Sequence, residues 1–354
     1  MIQDVHVEEL VNLIRTGKVT AVDVRSPQEY REATIPGSLN IPLFDDEERK
    51  EIGILYKQVS IQAAKERGLE IVSRKLPDFI KAFAQISGRK AVFCWRGGMR
   101  SKTTATVLSL MGIPAYRLHG GYRAYRKWVV DSLEAYRLKP SVIVINGYTG
   151  TGKTKILRIL SEKGYPVIDL EGLAQHRGSI FGQIGLEPNN QKTFDALLLE
   201  RLAEVNDAPY VLIEAESPRV GKVVLPEFLI RAKETGVQLF LEMPVKERVR
   251  HILEDYEPIR HHEACLAAFM RIKQRIHTPA AKAIEEDLKN GRYDSAVEAL
   301  LAYYYDSRYE YAVREYAGER IKLKVNHAEE AVEKIVGFLE RGMLAPAGPA
   351  ATTQ

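Results

Sequence analysis

Apolar positions along this chain switch repeatedly between a period of two and a period near 3.6. TAVDV, KAVF and PAYRL are short, β-branched or apolar runs bounded by charge, Pro or Gly, the pattern of buried strands. Between them lie stretches of helical spacing such as RAYRKWVVDSLEAY. SPQEY reads as a helix start, IPGSLNIP as a turn leading to a short edge segment, and HGGY as a turn. Strands alternating with helices predict an α/β sheet with substantial parallel pairing. A second series opens at Ser141, with strands expected at Val142–Ile145, Val167–Leu170, Tyr210–Glu214 and Val237–Glu242. A helix is expected over Lys153–Lys163, closed by Gly164 as its C-terminal cap. From Lys246 to about Arg341 the spacing predicts mostly helix.

Two domains follow. Pro140 breaks the preceding helical stretch, so the boundary is placed after Leu138, giving domains at 1–138 and 139–343. The remaining 344–354, small, polar and Pro-containing, is expected to be disordered. A length of 354 residues agrees with two domains, each long enough to bury a core. Two cysteines exclude a disulfide framework and fit a reducing, cytoplasmic setting. No apolar run approaches membrane-spanning length. A net charge of +4 allows a nucleic-acid partner without establishing one.

Candidate chemistry sits at the ends of two predicted strands. After KAVF comes Cys94-Trp95-Arg96-Gly97-Gly98-Met99-Arg100-Ser101. A nucleophilic cysteine needs its thiolate favoured, by a helix start and by nearby cations. Gly97 and Gly98 permit a tight turn, Arg96 and Arg100 supply charge, and Ser101 is expected to cap the following helix. An inert core cysteine would leave that coincidence unexplained.

This loop resembles the active loop of the rhodanese family, whose cysteine carries sulfur or selenium as a persulfide or perselenide. VDVRSPQEYREATIPGSLNIP is similar to that family's first signature, with Ala33-Thr34 where Gly-His is common, and RLHGGYRAY to its closing strand and turn. The resemblance covers roughly residues 5–130 and implies a rhodanese-like α/β domain. Single-domain rhodaneses usually show C-x-x-G-x-R-S. Here the spacing from Cys94 to Arg100 is C-x5-R, the loop length of cysteine phosphatases, which admits a larger tetrahedral anion. Two readings stay open: a chalcogen carrier facing a phosphate-like donor, and a phosphatase. No aspartate beside the loop offers itself as the phosphatase's acid.

The second loop, after SVIVIN, is Gly147-Tyr148-Thr149-Gly150-Thr151-Gly152-Lys153-Thr154, a full G-x-x-x-x-G-K-[ST] match. Its N–H groups are expected to wrap a diphosphate at a helix start, with Lys153 on the phosphate oxygens and Thr154 placed for Mg²⁺. Further candidates for this site are Asp169, Glu171, His176 and Arg177 after the second strand, and Glu214 and Glu216 ending a Walker-B-like strand. Arg219 and Arg248 complete the set; Arg248, with Arg250, sits in LEMPVKERVRHI, similar to the lid segment of small P-loop kinases. No spacing of Cys or His indicates a protein-only metal site. His261 and His262 are expected at the surface, and Cys265 in the core.

The order of the two domains, with CWRGGMRS, GYTGTGKT, DLEGLAQHRGSIFG, GILYKQ and the run from Glu214 to Arg219, resembles the tRNA 2-selenouridine synthase family over nearly the whole chain to about residue 340. The resemblance implies an N-terminal rhodanese-like domain and a P-loop domain with a helical C-terminal part. It implies replacement of sulfur by selenium in wobble 2-thiouridine of tRNA, and geranyl transfer to that sulfur. Selenophosphate and geranyl diphosphate are then substrates, no cofactor is tightly bound, and a selenophosphate-producing enzyme is a candidate partner. Arg123, Arg126 and Lys127, with Arg117, are candidates for tRNA phosphates, as are Arg271, Lys273 and Arg275. Tyr122 and Tyr125 either stack on bases or pack inward. From the residues alone, a rhodanese-type sulfurtransferase fused to an ATPase, a small-molecule kinase with a rhodanese module, and a non-catalytic tRNA-binding scaffold remain alternatives.

Overall fold

Parallel strands need long crossovers, and the helical stretches between this chain's strands supply them. The computed structural model describes residues 3–306 and 319–342. It divides into two compact units, Met1–Ala135 with Lys192–Leu199, and Tyr136–Gln191 with Glu200–Gln354. The expected disordered tail lies outside the described residues.

In the first unit the order is β1 (Gln3–Val5), α1 (Val7–Arg15), β2 (Val19–Asp23), α2 (Pro27–Glu32), β3 (Leu39–Asn40), α3 (Asp46–Ile54), α4 (Ile61–Ala84), β4 (Arg89–Phe93), α5 (Met99–Leu110), β5 (Ala115–Leu118) and α6 (Gly121–Ala135). The sheet runs β1-β5-β4-β2-β3, every pair parallel. Strand β4 is central, so Ala91, Val92 and Phe93 are fully buried and Cys94 emerges at its C-terminal end. Helix α2 starts at a capping box in which Ser26 and Glu29 satisfy each other's backbone N–H, with Pro27 preset at the first position.

The second unit holds β6 (Ser141–Gly147), α7 (Lys153–Glu162), β7 (Val167–Ile168), α8 (Leu170–Ala174), α9 (Gln191–Val205), β8 (Tyr210–Glu214), β9 (Arg219–Val220), β10 (Val223–Val224), α10 (Glu227–Thr235), β11 (Val237–Glu242), α11 (Val245–Tyr256), α12 (His262–Ile272), α13 (Thr278–Lys289), α14 (Tyr293–Leu300), β12 (Arg320–Lys324) and α15 (Ala328–Gly342). Helix α9 contributes its Lys192–Leu199 stretch to the first unit. A second all-parallel sheet runs β12-β11-β6-β8-β7. Ile156, Leu157 and Leu160 of α7 bury completely against its core, each contributing roughly 1.5–3 kcal/mol.

One expectation needs correction, and three short elements add to the rest. The strand expected to reach Leu170 stops at Ile168, because Asp169 caps α8 through the Gly172 N–H at 2.7 Å. The described C-terminal residues are mostly helical, as expected, with one strand added: β12 pairs with β11 as an edge strand. Its Ile321 and Leu323 pack on the core, while lysines at 322 and 324 alternate outward. The short strand β1 and the β9–β10 hairpin lie in segments where no strand was expected.

Candidate functional site

The Cys94 loop is built by backbone packing. Gly97 has φ +64°, and a Cβ there would lie 2.9 Å from the Leu118 carbonyl. Gly121 (φ +62°) is closer still; a side chain would run into the Cys94 carbonyl and the Gly97 N–H. The HGG turn is therefore the wall of the loop. The Tyr122 and Arg123 N–H groups donate to Cys94 O (2.8 Å) and Trp95 O (2.9 Å), which fixes that wall to the loop. The departure at Ala33-Thr34 is absorbed locally. Arg25, buried with Asp23, donates to the Ala33 carbonyl at 2.6 Å, and Thr34 donates to Asp23 at 2.9 Å.

Cys94 Sγ is buried, with Ser101 Oγ 3.2 Å away. Ser101 does not cap α5, as expected from the sequence; Gly98 occupies the cap position, and no side chain caps the helix. The serine sits in the first turn instead, so its hydroxyl faces the sulfur and reaches back to the Gly98 carbonyl at 3.3 Å. Arg100 is held by Glu29 through two bonds, 2.5 and 3.0 Å. That pairing lowers the Glu29 carboxyl despite its burial, and raises Arg100. Arg96 is exposed at the rim. Helix α5 directs its positive end at the loop.

The P-loop runs from β6 into α7. Gly147, Gly150 and Gly152 take φ of +154°, +83° and +72°. A Cβ at Gly150 would lie 2.8 Å from the Arg248 carbonyl, and one at Gly152 would lie 3.0 Å from the His251 ring, so α11 leaves room only for glycine. Lys153 Nζ lies 3.3 Å from Gly147 O, and the first N–H groups of α7 have no acceptor within the helix. Thr151 is buried and donates to the Tyr148 carbonyl at 2.9 Å.

Behind the loop, carboxylates crowd together. Thr154 Oγ1 donates to Glu171 at 2.5 Å and lies 3.4 Å from Glu214, whose other oxygen accepts from the Glu171 N–H at 2.7 Å. Burial, with Glu216 nearby, pushes Glu171 up to about 8. Burial and the neighbouring carboxylates raise Glu214, and burial raises Asp169 and Glu216. Among the described residues no group of three or more His, Cys, Asp or Glu has the arrangement of a protein-only metal site. A cation here would need Thr154 and a substrate oxygen as further ligands.

These groups border a cavity of about 1120 Å³ lined by Gly150, Lys153, Thr154, Glu171, Arg177 and Glu216 among others. Sequence reasoning missed Lys233, Arg158 and Asp255 on its wall. Lys233 is buried and donates to the Glu216 carbonyl, and burial lowers its pKa. Nothing local in RAKET marks that lysine; its partner is set by the fold. Arg248 is not on the cavity wall. It is buried, donates to Thr149 O at 2.8 Å and forms a double bond pair with Asp306, so it braces the P-loop from behind. His251, unmarked in the sequence reading, does the same at Gly150 O, 3.2 Å away. His176 packs against Gly182 and Gly221, off the cavity wall, and burial lowers its pKa. Arg219 is exposed on β9. Cys265 lies in the core, where burial pushes it up to about 11. His261 and His262 are half-buried rather than on the surface, and His262 bonds the Tyr293 hydroxyl at 2.8 Å.

The basic candidates separate on inspection. Arg123 is exposed on α6. Arg126 pairs with Asp195 at 2.6 Å, Lys127 with Asp131 at 2.6 Å, Arg117 with Asp4, and Lys273 with Glu285. Arg271 and Arg275 are exposed. Tyr122 and Tyr125 are buried, so they pack inward and do not offer faces to bases; Arg25 lies 4.3 Å over the Tyr122 ring.

The fold and its two loops define a rhodanese-like domain joined to a P-loop domain. Residues 6–127 match the Rhodanese-like domain and residues 140–271 the tRNA 2-selenouridine synthase AAA domain. The tRNA 2-selenouridine synthase of Nitrosomonas europaea is 30% identical, covering 86% of this chain and 92% of its own length. That of Marinobacter nauticus is 32% identical, covering 85% and 90%. That of Bdellovibrio bacteriovorus is 33% identical, covering 72% and 69%. The chain belongs to the tRNA 2-selenouridine synthase family. Among the described residues no helix is long and apolar enough to cross a membrane.

Proposed function

We propose that this chain replaces the sulfur of wobble 2-thiouridine in tRNA by selenium, giving 2-selenouridine, by way of an S-geranylated base. One observation carries the reading: two anion cradles of different chemistry stand in two separate units, a buried thiol at a helix start and a P-loop opening on a large cavity. A thiocarbonyl sulfur leaves poorly, whereas an alkylated one departs as a thiol. In the first step the base sulfur bonds the allylic carbon of geranyl diphosphate, and the C–O bond breaks with its electron pair going to diphosphate. Lys153 and the N–H groups at the start of α7 are suited to that departing charge. In the second step selenium of selenophosphate bonds C2, the C–S bond breaks, and geranyl thiol leaves. Water then opens the P–Se bond and releases phosphate. No atom changes oxidation state.

Cys94 and the start of α5 are assigned to the selenium donor, a tetrahedral anion of the size a C-x5-R loop admits. Thr154, Glu171 and Glu214 are the residues that would hold Mg²⁺, and their crowded carboxylates fit a cation. When bound, the ion supplies positive charge beside the diphosphate. A selenophosphate-producing enzyme supplies the donor, and exposed Arg123 is the residue assigned to tRNA phosphate. The test is mass spectrometry of nucleosides from thiolated tRNA incubated with the protein, selenophosphate and geranyl diphosphate. The reading expects geranylated 2-thiouridine followed by 2-selenouridine. Selenium incorporation without any geranylated species would overturn the two-step route.

A further inference from the structure

A second, apolar recess of about 60 Å³ opens beside the P-loop. It shares Thr149, Ser179, Ile252, Tyr256 and Tyr305 with the large cavity, so the two are continuous. Its depth is formed by hydrocarbon and rings from α11 to α14 and the turn that follows, including Leu253, Leu288, Val297 and Leu301. Three hydroxyls at its edge are already engaged. The Tyr256 and Ser179 hydroxyls bond each other at 3.1 Å, and the Tyr293 hydroxyl bonds His262. A nucleotide base would enter such a recess with its hydrogen-bonding groups unmatched, which is costly. A ligand with a diphosphate at one end and hydrocarbon at the other meets complementary chemistry at both.

We infer that this recess holds the distal end of the prenyl donor. The inference rests on the reading that the P-loop takes a prenyl diphosphate. A water-sized group needs roughly 10–15 Å³ of such space, so the recess takes about four to six heavy atoms, one isoprene unit. The diphosphate end of the donor stays in the large cavity, and a terminal isoprene unit fills the recess. Leu253 and Val297, both half-buried, are the residues that set its width.

Equilibrium binding of geranyl, farnesyl and inorganic diphosphate to the full chain tests this. The unaltered protein should bind geranyl diphosphate at least ~10-fold more tightly than inorganic diphosphate, since each methylene in an apolar pocket counts for a factor of that order. Val297→Trp should bring that ratio close to one. Leu253→Ala, which removes volume and does not depend on the bulky variant folding, should raise the farnesyl-to-geranyl affinity ratio by about tenfold. A ratio near one in the unaltered protein, a Val297→Trp protein that keeps its preference, or an unchanged farnesyl ratio in Leu253→Ala would overturn the recess as the chain site. If neither inorganic nor geranyl diphosphate binds while ATP does, the reading of the P-loop itself fails, and the inference with it.

Discussion

The Cys94 loop and the P-loop both place an anion site at the start of a helix, yet their charge is balanced in opposite ways. At the first, Arg100 is tied to Glu29, Ser101 faces the sulfur, and the HGG turn closes the wall. At the second, burial raises Asp169, Glu171, Glu214 and Glu216, neighbouring carboxylates add to it at Glu171 and Glu214, and Lys153 and Lys233 offset it at Glu216. A closely walled loop with its charged side chain already paired suits one anion of fixed shape. A large site with surplus carboxylate suits a substrate that brings metal with it. On the proposed reading, two helix starts of similar build serve different chemistry because of what lies behind them.

The comparison breaks most sharply at Cys94. Cys94→Ala should lower selenium incorporation at least ~1,000-fold, the scale of removing a catalytic group set against the selenium donor, while circular dichroism stays unchanged. Near-normal 2-selenouridine formation by that variant would remove the thiol from the account.

The acidic surplus is tested by pH. Glu171 has a folded pKa of about 8, above its unfolded value, so the native state binds more protons between these values. The stability it contributes is present below about pH 4.5 and is lost as pH rises through about 8. Glu171→Gln should therefore melt higher than the unaltered protein at pH 9, by about 2–4 °C per kcal/mol relieved, with the gap closing at pH 5. Parallel melting curves at both pH values would show that the carboxylate cluster is not under such load.

The smallest effect concerns tRNA. Arg123→Glu should weaken binding severalfold and reduce the salt slope by about one. Arg126→Glu should instead lower thermal stability, because it sets two negative charges together at Asp195. If Arg126→Glu alone changes the salt slope, the tRNA face has been assigned to the wrong arginine.

Much of this was legible because it lies in consecutive residues. The run from Gly147 to Thr154 carries its own glycines, lysine and hydroxyl, and β6 and α7 fall where the pattern put them. The Cys94 loop was legible for the same reason. What was hidden is what folding brings from a distance. Glu29 meets Arg100 across 71 positions, and Arg248 meets Thr149 across 99. Ser101 looked like a cap because its type suits one, but the helix begins two residues earlier. Tyr122 and Tyr125 are three apart, a spacing that serves a stacking face and a buried face equally; packing chose the second. Strand β12 alternates lysine with aliphatic residues in a region otherwise helical, so its period of two was overlooked.

On the proposed reading the two cradles divide the work, and the P-loop uses its diphosphate as a leaving group, not as fuel. The direct measurement follows both half-reactions of Lys153→Ala with every nucleotide omitted. Geranyl transfer to thiolated tRNA should fall ~100-fold or more, the scale of removing one group that stabilises a departing charge. Conversion of already geranylated tRNA to 2-selenouridine should proceed at the rate of the unaltered protein. A strict requirement for ATP in geranyl transfer, or a Lys153→Ala protein that geranylates normally, would contradict the claim.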